Sequence, residues 1–180
     1  MRQDFFGIPI FQDVVDLSKI KLLDKELKPT FRSRIKSSFL TEREVKKETT
    51  DYLTNLIRHH ITDFISTYTS IVIKEIWRNV YEENDYQDPH IHSNSQWSFI
   101  IYENVKKSNT VFLNPNRHLI ETTMCGYDAT FNGYYLDTNF MNDYKPNFKT
   151  GDIVIFPSFL EHFVLAGGKG STISGNIICS

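Results

Sequence analysis

A chain of 180 residues that is 40% hydrophobic and 14% aromatic has the length of one domain and enough apolar surface to bury a core. Its 20 Lys and Arg stand against 22 Asp and Glu, a formal net charge of −2, so no broad positive field invites nucleic acid. No run of about 18 apolar residues and no leader-like N-terminus is found, which argues against a membrane span and a secreted product.

The cysteines, Cys125 and Cys179, form no C-x-x-C motif and read as small buried apolar residues in a reduced, cytoplasmic setting. Fourteen Phe and nine Tyr favour sheet over helical bundle, because flat rings pack well on pleated surfaces.

Phe5 to Val15 reads as an extended opening strand, with Gly7 and Pro9 interrupting any helix. Asp16 to Leu27 has an imperfect apolar face and is expected to be a short helix. Lys28 to Thr41, basic and polar, is expected to be a loop. From Glu44 to Tyr68 the residues Leu53, Leu56, Ile57, Ile61, Phe64, Ile65 and Tyr68 recur at steps of three and four, one face of a helix. His59 and His60 lie on that helix without partners at metal-binding spacing and are read as structural or solvent-exposed.

From Ser70 the texture changes to short β-branched and aromatic runs. Ser70–Tyr81 alternates in its second half, placing Ile76, Arg78 and Val80 on one side and Trp77, Asn79 and Tyr81 on the other. Trp97–Tyr102, Thr110–Leu113, a pair around Gly133–Phe140, Asp152–Phe156, Phe163–Ala166 and Thr172–Cys179 follow, separated by Gly-, Asn- and Pro-containing turns. The fold class is therefore mainly β, a sandwich, barrel or jelly roll with supporting N-terminal helices. The expected organisation is one domain over 1–180, with a helical N-terminal layer at 1–69 and a β core at 70–180.

The segment DYQDPHIHSNSQWSFIIY carries the chemistry. His90 and His92 are two apart, so in an extended strand both imidazoles point to one side. Pro89 keeps the preceding residue out of the helical region. A third ligand is expected from His162, which follows the turn, strand and proline of GDIVIFPSFLEH. Three imidazoles with open positions opposite suit a metal that must admit substrate and dioxygen together.

Four stretches resemble a known family. FFGIPIF, WRNVYEENDYQDPHIHSNSQWSFIIY, GDIVIFPSFLEH and STISGNI are similar to the opening strand, the H-x-H block, the F-P-S-x-L-x-H block and the closing strand of the 2-oxoglutarate/Fe(II)-dependent oxygenases of bacteria and marine phages. The resemblance implies a double-stranded β-helix (jelly roll) and a dioxygenase that hydroxylates its substrate. It implies Fe(II) held by His90, His92 and His162, with 2-oxoglutarate as co-substrate. Its setting would be the host cytoplasm if phage-encoded.

Two departures matter. Most 2-oxoglutarate oxygenases use His-x-Asp/Glu…His, whereas this chain has His-x-His…His, one negative charge fewer at the metal unless Asp88 or Glu161 supplies a carboxylate. Members also carry an Arg on the closing strand for the co-substrate carboxylate; here the matching position is read as Ser171. Lys169 as a point charge, Ser174 and Asn176 as hydrogen-bonding groups and Tyr102 through its hydroxyl are then the expected co-substrate contacts, with Arg117 as an alternative anchor. Trp77 is expected in the core, and Tyr81 and Tyr86 at the mouth or edge of the site. The substrate, small molecule or protein, is not specified by the sequence, and a homodimer is allowed. Two other functions fit the same residues: a cupin-like three-histidine metalloenzyme that does not use 2-oxoglutarate, and a non-catalytic jelly-roll binding module.

Overall fold

The computed structural model describes residues 2–5, 7–23, 26–29, 34–41, 45–118 and 143–180. The expected strand pair around Gly133–Phe140 and Cys125 lie outside the described residues. Among the described residues, twelve strands and one α-helix follow one another. They are β1 (Arg2–Phe5), β2 (Ile8–Val14), β3 (Lys28–Pro29), β4 (Lys36–Thr41), α1 (Lys47–Phe64), β5 (Ile71–Tyr81), β6 (Gln87–His90), β7 (Trp97–Val105), β8 (Thr110–Leu113), β9 (Asp143–Tyr144), β10 (Asp152–Pro157), β11 (His162–Val164) and β12 (Gly170–Cys179).

All pairings are antiparallel. An eight-stranded sheet runs β1-β2-β10-β7-β12-β5-β4-β3 and a four-stranded sheet runs β6-β11-β8-β9. This is the mainly β, jelly-roll-type sandwich expected from the sequence, and its two sheets do not close into a barrel among the described residues.

The N-terminal third is less helical than its sequence suggests. Asp16–Leu27 yields only a 3₁₀ turn at Leu17–Lys19, and the Lys28–Thr41 stretch supplies β3 and β4 rather than a loop. Pairing with β5 recruits β4: six residues, Lys36 to Thr41, pair with Val80 to Glu75. Tertiary pairing overrides weak local preference here. The expected long helix is present, and its apolar stripe of Leu53, Ile57 and Ile61 is fully buried.

Alternation explains how one sheet serves two cores. Trp97, Phe99 and Ile101 of β7, Ile153 and Ile155 of β10 and Ile173 and Ile177 of β12 pack with the helix stripe. Ile100 and Tyr102 of β7 and Val154 and Phe156 of β10 face the other way, onto Phe112 of β8, Phe148 and Leu160. With both faces covered, the central strands read as continuous apolar runs. The β5–β12 register shifts so that Asn176 opposes Glu75 and Ile177 opposes Ile73, which leaves Lys74 as an extra residue, a β-bulge. Beyond it the parity of β5 inverts. Ile71, Ile73 and Ile76 all join the helix-side core, while Trp77 is turned towards His92 on the inter-sheet side.

Gly175 lies where β12 crosses Phe99. A Cβ there would overlap the Phe99 ring and meet the Glu75 carbonyl oxygen at 2.8 Å. Gly175→Ala is expected to lower stability by about 1–3 kcal/mol through overpacking, read as a reduced midpoint in urea unfolding with unchanged slope.

Candidate metal centre

His90 ends β6, and its direct cross-strand partner in β11 is His162. The two residues, 72 apart in sequence, are thus paired by sheet register, and their ring centroids lie 4.3 Å apart. His92 returns to the same side two residues later. Its backbone N–H donates to the Ser158 carbonyl at 2.9 Å, and Ser158 N–H donates to the Gln96 carbonyl at 2.9 Å. The turn of FPSFLEH therefore does two things: it holds the backbone of His92 and lifts His162 into β11.

The three side chains converge. His92 is 5.0 Å from His162 and 5.5 Å from His90 between ring centroids, and one potential ligand nitrogen from each lies within 4.8 Å of the others. Bonds of about 2.1 Å at right angles place such nitrogens about 3 Å apart, a distance small side-chain rotations supply. Phe156 and Phe112 flank the buried His162 at 4.9 and 5.8 Å, and Trp77 lies against His92 at 5.3 Å.

The protons are placed by the other ring edge. Nδ1 of His90 meets the Asp88 carbonyl at 2.8 Å, Nδ1 of His92 meets Oδ1 of Asn176 at 2.7 Å, and Nδ1 of His162 meets the Leu160 carbonyl at 3.0 Å. Each of these oxygens only accepts, so each Nδ1 carries its hydrogen and each Nε2 presents a lone pair. Burial lowers all three pKa values. For His92 the value falls to about 4, with the neighbouring His90 adding to the effect; for His162 both other histidines add to it. Three neutral imidazoles with lone pairs facing one another fit a divalent cation, because their mutual repulsion becomes coordination.

No carboxylate joins the cluster among the described residues. Asp88 contributes its backbone carbonyl to His90. Glu161 is near enough to bias His90 towards its charged form, but its carboxylate pairs with Arg117 at 2.9 Å.

The expected co-substrate residues divide. Tyr102 is buried, and its hydroxyl donates to Thr110 Oγ1 at 3.0 Å. Ser174 is buried and accepts from Asn79 Nδ2 at 3.3 Å. Tyr81 shares a 3.2 Å hydrogen bond with Thr172, and burial pushes its phenol up to about 12. Tyr81, Tyr102, Thr110 and Thr172 line a small, partly open recess of about 30 Å³, with Lys107 and Lys169 also on its wall. The Lys169 side chain is 73% exposed and pairs with Glu82 at 2.9 Å. Asn176 is directed at His92, not at the recess. Ser171 donates to Glu103 at 2.8 Å on the helix side of the sheet, where Glu103 also takes a bidentate contact from Arg78. Gly170 cannot carry an Arg either, since its Cβ would overlap the Asn104 carbonyl oxygen.

Sequence reasoning assigned no role to Thr110, Ser158 and Thr172 and treated Ser98 and Asn79 only as strand residues. The available signal was a polar residue at alternate positions of otherwise apolar strands, as in Ser98 of WSFIIY and Thr172, Ser174 and Asn176 of TISGN.

The comparisons with known proteins agree with this geometry. Residues 75–172, over half the chain and including all three histidines, match the family model described as "Putative 2OG-Fe(II) oxygenase". The chain belongs to this family. It is an enzyme of the 2-oxoglutarate/Fe(II) oxygenase class, with iron and 2-oxoglutarate as the cofactor pair that defines the class.

The oxygenase is similar in fold to solved structures of low identity. An oxidoreductase of the 2OG-Fe(II) oxygenase family from Burkholderia pseudomallei matches with a TM-score of 0.56 at 10% identity, over 87% of this chain and 73% of the other. A prolyl-4-hydroxylase from Pseudomonas putida matches with a TM-score of 0.51 at 12% identity, over 85% and 78%. The non-heme alpha ketoglutarate dependent epimerase SnoN from nogalamycin biosynthesis matches with a TM-score of 0.55 at 10% identity, over 86% and 65%. No curated protein matches the oxygenase in sequence. No helix among its described residues is long and apolar enough to cross a membrane.

Mn(II), a redox-silent stand-in for Fe(II), is expected to stabilise the protein by about 2.7 kcal/mol at a hundredfold excess over its Kd. His162→Ala should abolish that shift, which thermal unfolding with and without metal measures directly.

Proposed function

We propose that His90, His92 and His162 hold Fe(II) through Nε2, and that the recess beside Tyr102 and Thr172 receives the distal carboxylate of 2-oxoglutarate. The observation that carries this reading is the acceptor on every Nδ1, which leaves each Nε2 its lone pair, in three histidines whose ligand nitrogens lie within 4.8 Å of one another. When bound, iron and 2-oxoglutarate supply dioxygen activation, with the co-substrate decarboxylated to succinate and a C–H bond of the substrate hydroxylated.

The chain's own residues set the electrostatics. Three neutral ligands leave the full +2 of the ion facing the co-substrate, where a carboxylate ligand would leave +1. That extra charge offsets the missing arginine: Arg78 is committed to Glu103 and Arg117 to Glu161. The recess then offers hydroxyls of Tyr81, Tyr102, Thr110 and Thr172, with Lys107 adding positive potential at its wall and Lys169 there paired with Glu82. Hydroxyl donors are weaker anion partners than a guanidinium fork, so recognition leans on the metal more heavily than in an arginine-bearing relative. Phe112, Phe156 and Trp77 limit water around the ligands. The low pKa of each imidazole keeps it a ligand rather than a competing acid at neutral pH.

Two experiments test this. Fe(II)-loaded protein is expected to convert 2-oxoglutarate to succinate under air. Tyr102→Phe combined with Thr172→Val should raise the KM for 2-oxoglutarate while the metal Kd stays put. Unchanged KM in that variant would remove the recess from the account. Separately, His92→Asp should retain metal but bind 2-oxoglutarate more weakly, by about tenfold or more, because one unit of positive charge is lost with no arginine among the described residues lining the recess to compensate. Calorimetry of 2-oxoglutarate into Mn(II)-loaded protein reads this, and tighter binding by His92→Asp would contradict the charge argument.

A further inference from the structure

His90 and His162 are oriented locally: each Nδ1 donates to a carbonyl two residues earlier in the chain. Those acceptors belong to the backbone and come with the loop shape. His92 differs. Its Nδ1 donates to a side chain 84 residues away on β12, Oδ1 of Asn176, at 2.7 Å. That amide is itself held at both ends. Its Oδ1 also accepts from Ser98 Oγ at 3.0 Å, and its Nδ2 donates to Glu75 Oε2 at 3.2 Å. A carboxylate only accepts, so the amide nitrogen must face Glu75 and the oxygen must face His92.

The serines extend the arrangement in one direction. Ser95 Oγ donates to Ser158 Oγ at 2.9 Å, Ser158 and Ser98 share a 2.8 Å hydrogen bond, and Ser98 donates to the amide. With the Ser98 proton on Asn176, Ser158 must donate to Ser98, so every hydroxyl proton in the row points towards the amide oxygen. Aligned donors of this kind polarise one another. Ser158 closes the loop through its backbone, whose carbonyl accepts the His92 N–H. The bulge at Lys74 completes it. Without that extra residue, Glu75 would share the helix-side parity of Ile71 and Ile73; with it, Glu75 stands opposite Asn176.

We infer that Asn176, fixed by Glu75 and by the Ser95–Ser158–Ser98 row, is a positioning residue that sets the tautomer and orientation of His92 for the metal. The inference rests on the three-histidine reading above. An uncharged amide suits the role: it holds the Nδ1 hydrogen and raises the ligand strength of Nε2 without placing a negative charge beside the ion. Glu75 of β5, Ser98 of β7 and Asn176 of β12 thus act on one metal ligand, which gives the serine row a reason to cross an otherwise apolar sheet.

The test uses Co(II)-loaded protein in ordinary water, observed by proton NMR and by metal titration. Wild type should show three exchangeable, hyperfine-shifted imidazole N–H signals, one per ligand. Asn176→Ala should retain two and lose the His92 signal to solvent exchange, with Co(II) affinity reduced by about 10–100-fold. Asn176→Asp paired with Glu75→Gln exchanges the two polar ends while preserving every hydrogen bond, so it should restore three signals and at least wild-type affinity. Three unmoved signals in Asn176→Ala with affinity within about twofold of wild type, or no recovery in the paired variant, would overturn the assignment. If Asn176→Ala does not fold, the paired variant decides alone. Absence of Co(II) binding by wild type would instead defeat the metal reading itself, and the positioning role with it.

Discussion

The architecture turns on a single constraint: three imidazoles must present bare Nε2 lone pairs to one another inside a low-dielectric space without a proton between them. Left to themselves, such groups would rotate apart or protonate. The protein prevents rotation by giving each Nδ1 an oxygen that only accepts, and it prevents protonation by burial. A divalent cation converts this unfavourable arrangement into a favourable one, so metal binding and the local fold are coupled.

The sheets are arranged around that constraint. Pairing of β6 with β11 brings His90 and His162 together, and the turn after Pro157 fixes His92 by its backbone. The eight-stranded sheet is stiffened on its far side by the helix stripe of Leu53, Ile57 and Ile61, leaving its near side free to carry polar groups. The β5 bulge inverts parity at the point where the strand passes from supporting the helix to facing the metal ligands. Bulges beside active sites re-aim side chains in this way.

Much of this was legible in the sequence, for identifiable reasons. The i, i+2 spacing of His90 and His92 encodes a shared face in any extended segment, and the strand–proline–turn before His162 encodes its return to the same place. Helix α1 announced itself by its stripe. The N-terminal third did not, because β4 is a strand only by virtue of its partner β5, and pairing leaves no mark on a basic, polar stretch. Asn176 was recognised as chemically significant, yet its partner was missed: a hydrogen bond from β12 to His92 depends on register across β5, β7 and β12, which spacing within one strand does not reveal. Ser171 stands at the sequence position of the family arginine, but its alternation places it on the helix side with Glu103, and the adjacent Gly170 has no room for a side chain.

The low identity to solved oxygenases, about a tenth of residues, shows how few positions this fold needs to hold fixed. Within that freedom the chain brings three histidines together as a candidate metal site. X-ray absorption of the Fe(II)-loaded protein examines the central claim most directly. The expected spectrum contains three imidazole scatterers at about 2.1 Å from iron; two imidazoles accompanied by a protein carboxylate, or none, would contradict the account.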